Sequence, residues 1–228
     1  MLGTIANVAA IAAGVVVGLA VRRGISEKIQ TTIMQGLGLV VLLVGLKMAR
    51  QTQNEIILIL SLAAGAVLGG YIDIENKLNA FGKWLENKVG SRRRGVSKAF
   101  ITASLIYCVG AMTIMGSIED GLTGEPKVLY IKSMLDGIAS IIFTVAMGVG
   151  VILSIIPVFI IQGSITLFAE SIKEILTDNM VAEMNAVGGL LIVGIAFNLL
   201  GIKKINVVNL LPAVPLVLLF IWLADKLS

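Results

Sequence analysis

The chain has 228 residues, 57% of them hydrophobic and 14% charged, with a mean hydropathy of +0.98, a composition that excludes an ordinary soluble domain. Histidine is absent and cysteine occurs once, at Cys108, which removes zinc sites, CxxC redox pairs, haem-attachment motifs, histidine acid–base chemistry and any disulfide within one chain. The net charge of +4 fits basic residues that orient a membrane protein, so no nucleic-acid partner is expected.

At about 20 residues per span, eight apolar windows follow in order: Leu2–Val21, Thr31–Ala49, Ile56–Ile72, Ala99–Met115, Val128–Leu153, Ile156–Leu176, Ala186–Leu200 and Val207–Ala224. The first lacks a basic leader and runs into Arg22 and Arg23, so it reads as a span and not as a signal peptide. The expected fold is an all-α, polytopic transmembrane bundle of about eight helices, one integral membrane domain over residues 1–228. Spans one to three fall in 1–72, a surface segment in 73–98, spans four and five in 99–153, and spans six to eight in 156–228. In the surface segment Ile74, Leu78, Phe81, Trp84, Leu85 and Val89 recur near helical spacing among Lys77, Lys83 and Lys88, which predicts an amphipathic helix on the inner face of the membrane, with membrane lipid as its partner.

Numbering loops alternately puts 12 of the 18 basic residues on one side, including Arg22, Arg23, Arg92–Arg94, Lys203 and Lys204. The positive-inside rule then places both termini outside. Ionisable groups inside spans are few. Lys132 and Asp136 are one helical turn apart in the fifth window, as are Glu170 and Lys173 in the sixth, and each couple can pair within its helix. Asn7, Ser117, Lys132 and Asp136 fall at similar outer depth and would form a polar pocket open from outside, suited to a cation or a small zwitterion. Gln162, Ser164 and Asn198 are further polar residues within spans, readable as helix–helix glue. Gly116–Pro126 is dense in turn formers and acids and reads as a solvated outer loop or cavity mouth; its acids lack a calcium-loop spacing, so no metal site is expected.

Gly14-Val-Val-Val-Gly18 and Gly65-Ala-Val-Leu-Gly69 are patterns for close helix approach, compatible with a homodimer as well as with packing inside one chain. Pro157 would allow a reversal between the fifth and sixth spans. Asn206 and Asn209, just before Pro212 and Pro215, would join the site if the eighth span is unwound there. A shift of 150 residues sets Met34, Gln35 and Gly38 on Met184, Asn185 and Gly188 and overlays helices of opposite direction, giving inverted three-helix repeats. A shift of 129 sets Asn7 on Asp136 and pairs helices of the same direction. Both registers remain open at this stage.

Gly3-Thr-Ile-Ala-Asn7, Gly116-Ser-Ile, Lys132-Ser-Met-Leu-Asp136, Ala186-Val-Gly-Gly189 and Gly201-Ile-Lys-Lys-Ile-Asn206-Val-Val-Asn209-Leu-Leu-Pro212 together resemble the YqgA/YdfK-like integral membrane family, a domain of unknown function. The resemblance implies a multi-pass protein of the bacterial inner membrane and supplies no substrate. The residues themselves suggest a transporter of a small solute or ion, with no catalytic residue and no cofactor. The alternative is a noncatalytic scaffold or sensor that recruits a partner through the surface helix.

Overall fold

The computed structural model describes residues 1–77, 80 and 95–227. The surface helix expected around Phe81, Trp84 and Leu85 lies outside the described residues. The described helices are α1 (Leu2–Arg22), α2 (Glu27–Ala49), α3 (Glu55–Ile72), α4 (Val96–Cys108), α5 (Ala111–Thr123), α6 (Lys127–Met147), α7 (Ile155–Leu167), α8 (Ala169–Ile175), α9 (Asp178–Leu200) and α10 (Ala213–Leu227), with short 3-10 helices at Val149–Ser154 and Val207–Leu210. Among the described residues, seven segments are long and apolar enough to cross a membrane, and the bent pair α4–α5 makes an eighth. The all-helical, multi-spanning expectation therefore holds, while several boundaries move.

Two compact units divide the chain, Met1–Leu37 with Phe81–Ile175 and Gly38–Ala80 with Leu176–Ser228. In the first, α1 and α6 run parallel in contact along their length. The contact is close because the facing residues are small. A Cβ added to Gly14 would collide with the Gly137 carbonyl, and one on Gly18 would lie 2.7 Å from Thr144 Cβ. At the far end Arg22 Nη1 donates to the carbonyls of Thr144 and Val145, at 3.1 and 2.8 Å, satisfying last-turn acceptors of α6 where the helix dipole favours a cation.

The fourth span is broken. Val109 is extended and Gly110 has φ 148° and ψ 151°, a region open to glycine, and α4 and α5 meet at 59°. Thr113 Oγ1 donates to the freed Tyr107 carbonyl at 3.0 Å, the kind of internal satisfaction that a helix break at membrane depth requires. The residues Gly116–Thr123 continue as helix and do not form the expected loop; Ser117 and Asp120 are buried. Glycine and acid content suggested a turn, but that polar face packs inward.

The reversal between the fifth and sixth spans also differs from expectation. It falls at Gly148, φ 90°, and Pro157 sits in the first turn of α7, where a missing N–H costs no helical bond. The fifth helix thus stops at Met147 instead of Leu153, and the sixth span begins at Val149. Glu170 and Lys173 lie beyond it in α8, and both are exposed.

In the second unit α3 packs antiparallel on α10 and the preceding 3-10 turn: a Cβ on Gly65 would lie 2.6 Å from Ala213 N, and one on Gly69 would collide with the Asn209 carbonyl. Both GxxxG patterns are therefore used inside the chain. Ile57, Met180, Val187, Val217 and Ile221 form the apolar core between α3, α9 and α10. Asn54 caps α3 by accepting from Ile56 N and Ile57 N, and Thr177 caps α9 by accepting from Met180 N. The seventh span begins at Asp178, eight residues before the apolar window at Ala186, because its first two turns carry polar side chains that are nevertheless helical.

Candidate functional site: a buried polar cluster in the first unit

The polar residues of α6 recur one turn apart, Lys132, Asp136, Ser140 and Thr144, and all four are buried. Asp136 lies near the middle of this 21-residue helix, which is about 31 Å long at 1.5 Å per residue. Its Oδ2 accepts from Lys132 Nζ at 2.5 Å and from Asn7 Nδ2 of α1 at 3.0 Å. An ion pair at that depth is sustained only when each partner is bound, since either charge alone meets a large desolvation cost. Below it Ser140 Oγ and Tyr107 Oη share a hydrogen bond of 2.8 Å, and the Tyr107 ring lies 5.9 Å from that of Phe143.

Three of the expected residues, Asn7, Lys132 and Asp136, are thus brought into one hydrogen-bonded group. Ser117 is fully buried on α5. The contact of α5 with α1 includes Gly3 N donating to Asp120 Oδ2 at 3.2 Å; Asn7 on α1 and Ser117 on α5 each lie about one helical turn along from it. Asp120 Oδ2 also pairs with the amino group of Met1 at 2.9 Å. Asn206 and Asn209 belong to the second unit. There Asn206 is exposed, and Asn209 Oδ1 accepts from Glu75 N at 2.9 Å, so this amide is engaged in holding the chain after α3. The eighth span is broken at the 3-10 turn as the prolines suggested. On the preceding helix α9, Asn198 also holds backbone, closing the loop by bonding both ways to Ile205, at 2.7 and 2.8 Å.

Among the described residues, unused buried hydrogen-bonding capacity is concentrated in the first unit, with Glu75 Oε2 and Asn179 Oδ1 also unpartnered in the second. Thr4 Oγ1, Asn7 Oδ1, Ser117 Oγ, Thr144 Oγ1, Thr166 Oγ1 and both amide atoms of Gln162 are buried with no partner among the described residues. Each such atom costs about 1–3 kcal/mol if left unpaired, so several together on neighbouring helices call for water or a ligand. Gln162 was legible as a polar residue within an apolar helix and read as interhelical glue, whereas Thr4 and Thr166 were not singled out, since a lone threonine carries little signal in such a helix.

The second unit has its own buried carboxylate, which sequence reasoning missed. Glu183, fully buried on α9, accepts from Thr52 Oγ1 at 2.8 Å, Gln53 N at 2.5 Å and Asn54 N at 2.9 Å. Asn185 on the same helix donates to Gln51. This carboxylate ties the α2–α3 connection to α9, and its oxygens are spent on that task.

The fold and this membrane-depth polar group define a polytopic helical membrane protein. Its sequence matches the family described as protein of unknown function DUF554 over residues 2–222, and the chain belongs to that family. It is 34% identical over 227 residues to the uncharacterized membrane protein YdfK of Bacillus subtilis, covering 97% of this chain and 96% of that protein. It is 30% identical over 218 residues to the uncharacterized protein YqgA of Escherichia coli, covering 93% of each. No solved structure matches the chain.

Proposed function

We propose that the protein is a noncatalytic transporter of a small solute or ion in the inner membrane, with both termini outside and the cluster Asn7, Ser117, Lys132 and Asp136 as its binding site. The observation that carries this reading is the Lys132–Asp136–Asn7 group at mid-helix depth, in a unit with buried oxygens that have no partner among the described residues. Charges kept inside a membrane segment at such cost commonly mark a substrate or ion pathway. Exposed apolar residues such as Leu39, Val40, Leu43, Ile59 and Val67 suit contact with lipid.

The inverted-repeat reading, at a shift one residue from the expected 150, gains support from α2 and α9. The bounds of α2, Glu27 and Ala49, and those of α9, Asp178 and Leu200, are related by one constant shift of 151. The contacts reciprocate at that shift: a Cβ on Gly38 would meet Leu200 and Leu199, while one on Gly189 would meet Ala49 and Met48. Helices of opposite direction related in this way are how many secondary transporters are built.

Reconstituted vesicles test the proposal. Uptake of radiolabelled sodium and of a panel of labelled amino acids is expected to be saturable for at least one probe and to fall at least tenfold in Asp136→Asn. Full transport by that variant removes Asp136 from the pathway. Reporter fusions at each terminus test the orientation, which fails if either terminus reports from inside.

A further inference from the structure

Gln162 is the largest polar side chain in the first unit whose hydrogen-bonding groups are all unused. It is 0% exposed, and neither its Oε1 nor its Nε2 has a partner among the described residues. Thr166, one turn along α7, is buried with its Oγ1 equally unpartnered. The buried stripe of α7, Val158, Gln162, Gly163 and Thr166, is the face that packs on α1, α4 and α5. Its position is fixed at two points: a Cβ on Gly163 would lie 3.4 Å from Met1 Cε, and one on Gly121 would collide with the Thr166 carbonyl. Thr4, fully buried with an unpartnered Oγ1, sits next to Gly3 on α1 at this same end. Helix–helix glue would show these groups bonded to a neighbour. They are unbonded on two helices that pack together.

The structure assigns Gln162 and Thr166 of α7, with Thr4 of α1, to the binding surface shared with Asn7, Ser117 and the Lys132–Asp136 pair, and assigns that surface to a small zwitterion of amino-acid type. The assignment rests on the transporter reading for the location of the site and deepens it in two respects, the α7 contribution and the ligand class. The charge balance decides the class. A bare cation brought to Asp136 meets the Lys132 ammonium, and a bare anion brought to Lys132 meets the Asp136 carboxylate. A molecule carrying both charges satisfies each with its opposite. The unused neutral groups have the same dual character: Asn7 Oδ1 and Gln162 Oε1 accept, Gln162 Nε2 donates, and the hydroxyls of Thr4, Ser117 and Thr166 do either. Both contacts of Asp136 fall on Oδ2, which leaves Oδ1 to receive an ammonium without dissolving the pair.

The test is thermal unfolding of the full chain in detergent with L-serine, glycine, β-alanine or glycine betaine, and with sodium chloride exchanged for choline chloride at constant ionic strength. A ligand that binds only the folded state raises the midpoint. At least one of the zwitterions is expected to raise it, and sodium alone is expected not to. Gln162→Leu, which removes two unbonded polar atoms while keeping the bulk, is expected to melt no lower than the parent without ligand and to need at least tenfold more zwitterion for the same shift. A structural role for Gln162 predicts the reverse, a lower unliganded midpoint with the shift intact, and that result overturns the assignment. So does a shift from sodium alone, or no shift from any of the four zwitterions. Vesicle uptake separates this inference from its parent. Binding without flux removes the transporter reading and leaves the assignment, whereas flux that survives Gln162→Leu removes the assignment and leaves the transporter.

Discussion

Asp136 and Glu183 are both carboxylates buried within membrane-spanning helices, yet their surroundings differ in kind. Glu183 receives three hydrogen bonds from one short connection, Thr52 to Asn54. Asp136 is held by a lysine on its own helix and an amide on a parallel one, and the helices around it carry unpartnered polar atoms on Thr4, Asn7, Ser117, Gln162 and Thr166. A saturated carboxylate is a structural fastening. A carboxylate among unspent donors and acceptors is poised to accept something else, and mutation should separate the two.

The largest effect is expected at the ion pair. Asp136→Ala leaves the Lys132 ammonium buried and unpaired, a loss of about 3–5 kcal/mol, read as a fall in unfolding midpoint in detergent. The double variant Lys132→Met with Asp136→Leu replaces both charges by apolar groups of similar bulk and should recover most of that stability while leaving vesicle uptake abolished. A double variant that transports removes the functional reading of this pair.

Glu183→Ala should come next, at about 2–4 kcal/mol, because two backbone N–H groups and a hydroxyl lose a charged acceptor. Glu183→Gln, which keeps one carbonyl acceptor, should lose roughly half as much. In contrast to the pair in α6, every variant that retains its fold should retain uptake. A stable Glu183 variant with no uptake would erase the distinction between the two carboxylates.

Backbone packing offers a control that should not distinguish the units. Gly14→Ala drives a methyl into the Gly137 carbonyl, and Gly69→Ala drives one into the Asn209 carbonyl. Each should cost about 1–3 kcal/mol of stability. A negligible cost at Gly14 alone would mean that α1 can move against α6, and would shift attention from the polar cluster to the helix pair as the mobile element.

The sequence made the spans legible because lipid demands long apolar helices, and the α6 charges legible because ionisable groups stand out in such a helix. Lys132 and Asp136 pair at the turn spacing, and Asn7 and Asp136, which align at a shift of 129, are hydrogen-bonded. The helices themselves pack at shifts of 123–126, Gly14 on Gly137 and Ser140 and Gly18 on Ile141 and Thr144, so the alignment at 129 is not their packing register. Glu183 was missed because the hydropathy window opened at Ala186, so the first two turns of α9 looked like a connection. The stretch Gly116–Pro126, with Asp120 in it, was read as a loop because composition cannot tell a turn from a helix whose polar face is buried. The reversal at Gly148 was placed at Pro157 for want of any signal in a continuous apolar run.

The smallest stability effect and the sharpest contrast belong to Ser117→Ala. The hydroxyl is fully buried and has no partner among the described residues, so its removal breaks no bond among them. It also relieves a desolvated polar atom, so the unliganded protein should be unchanged or up to about 1 kcal/mol more stable. A serine bonded within the fold would behave oppositely, as expected for Ser140, whose Oγ meets Tyr107 Oη. If Ser117 binds solute, the same substitution should weaken zwitterion binding severalfold in the thermal-shift titration. Gained stability with unaltered binding would show that the hydroxyl faces only packing, and would confine the site to Asn7, Gln162 and the ion pair.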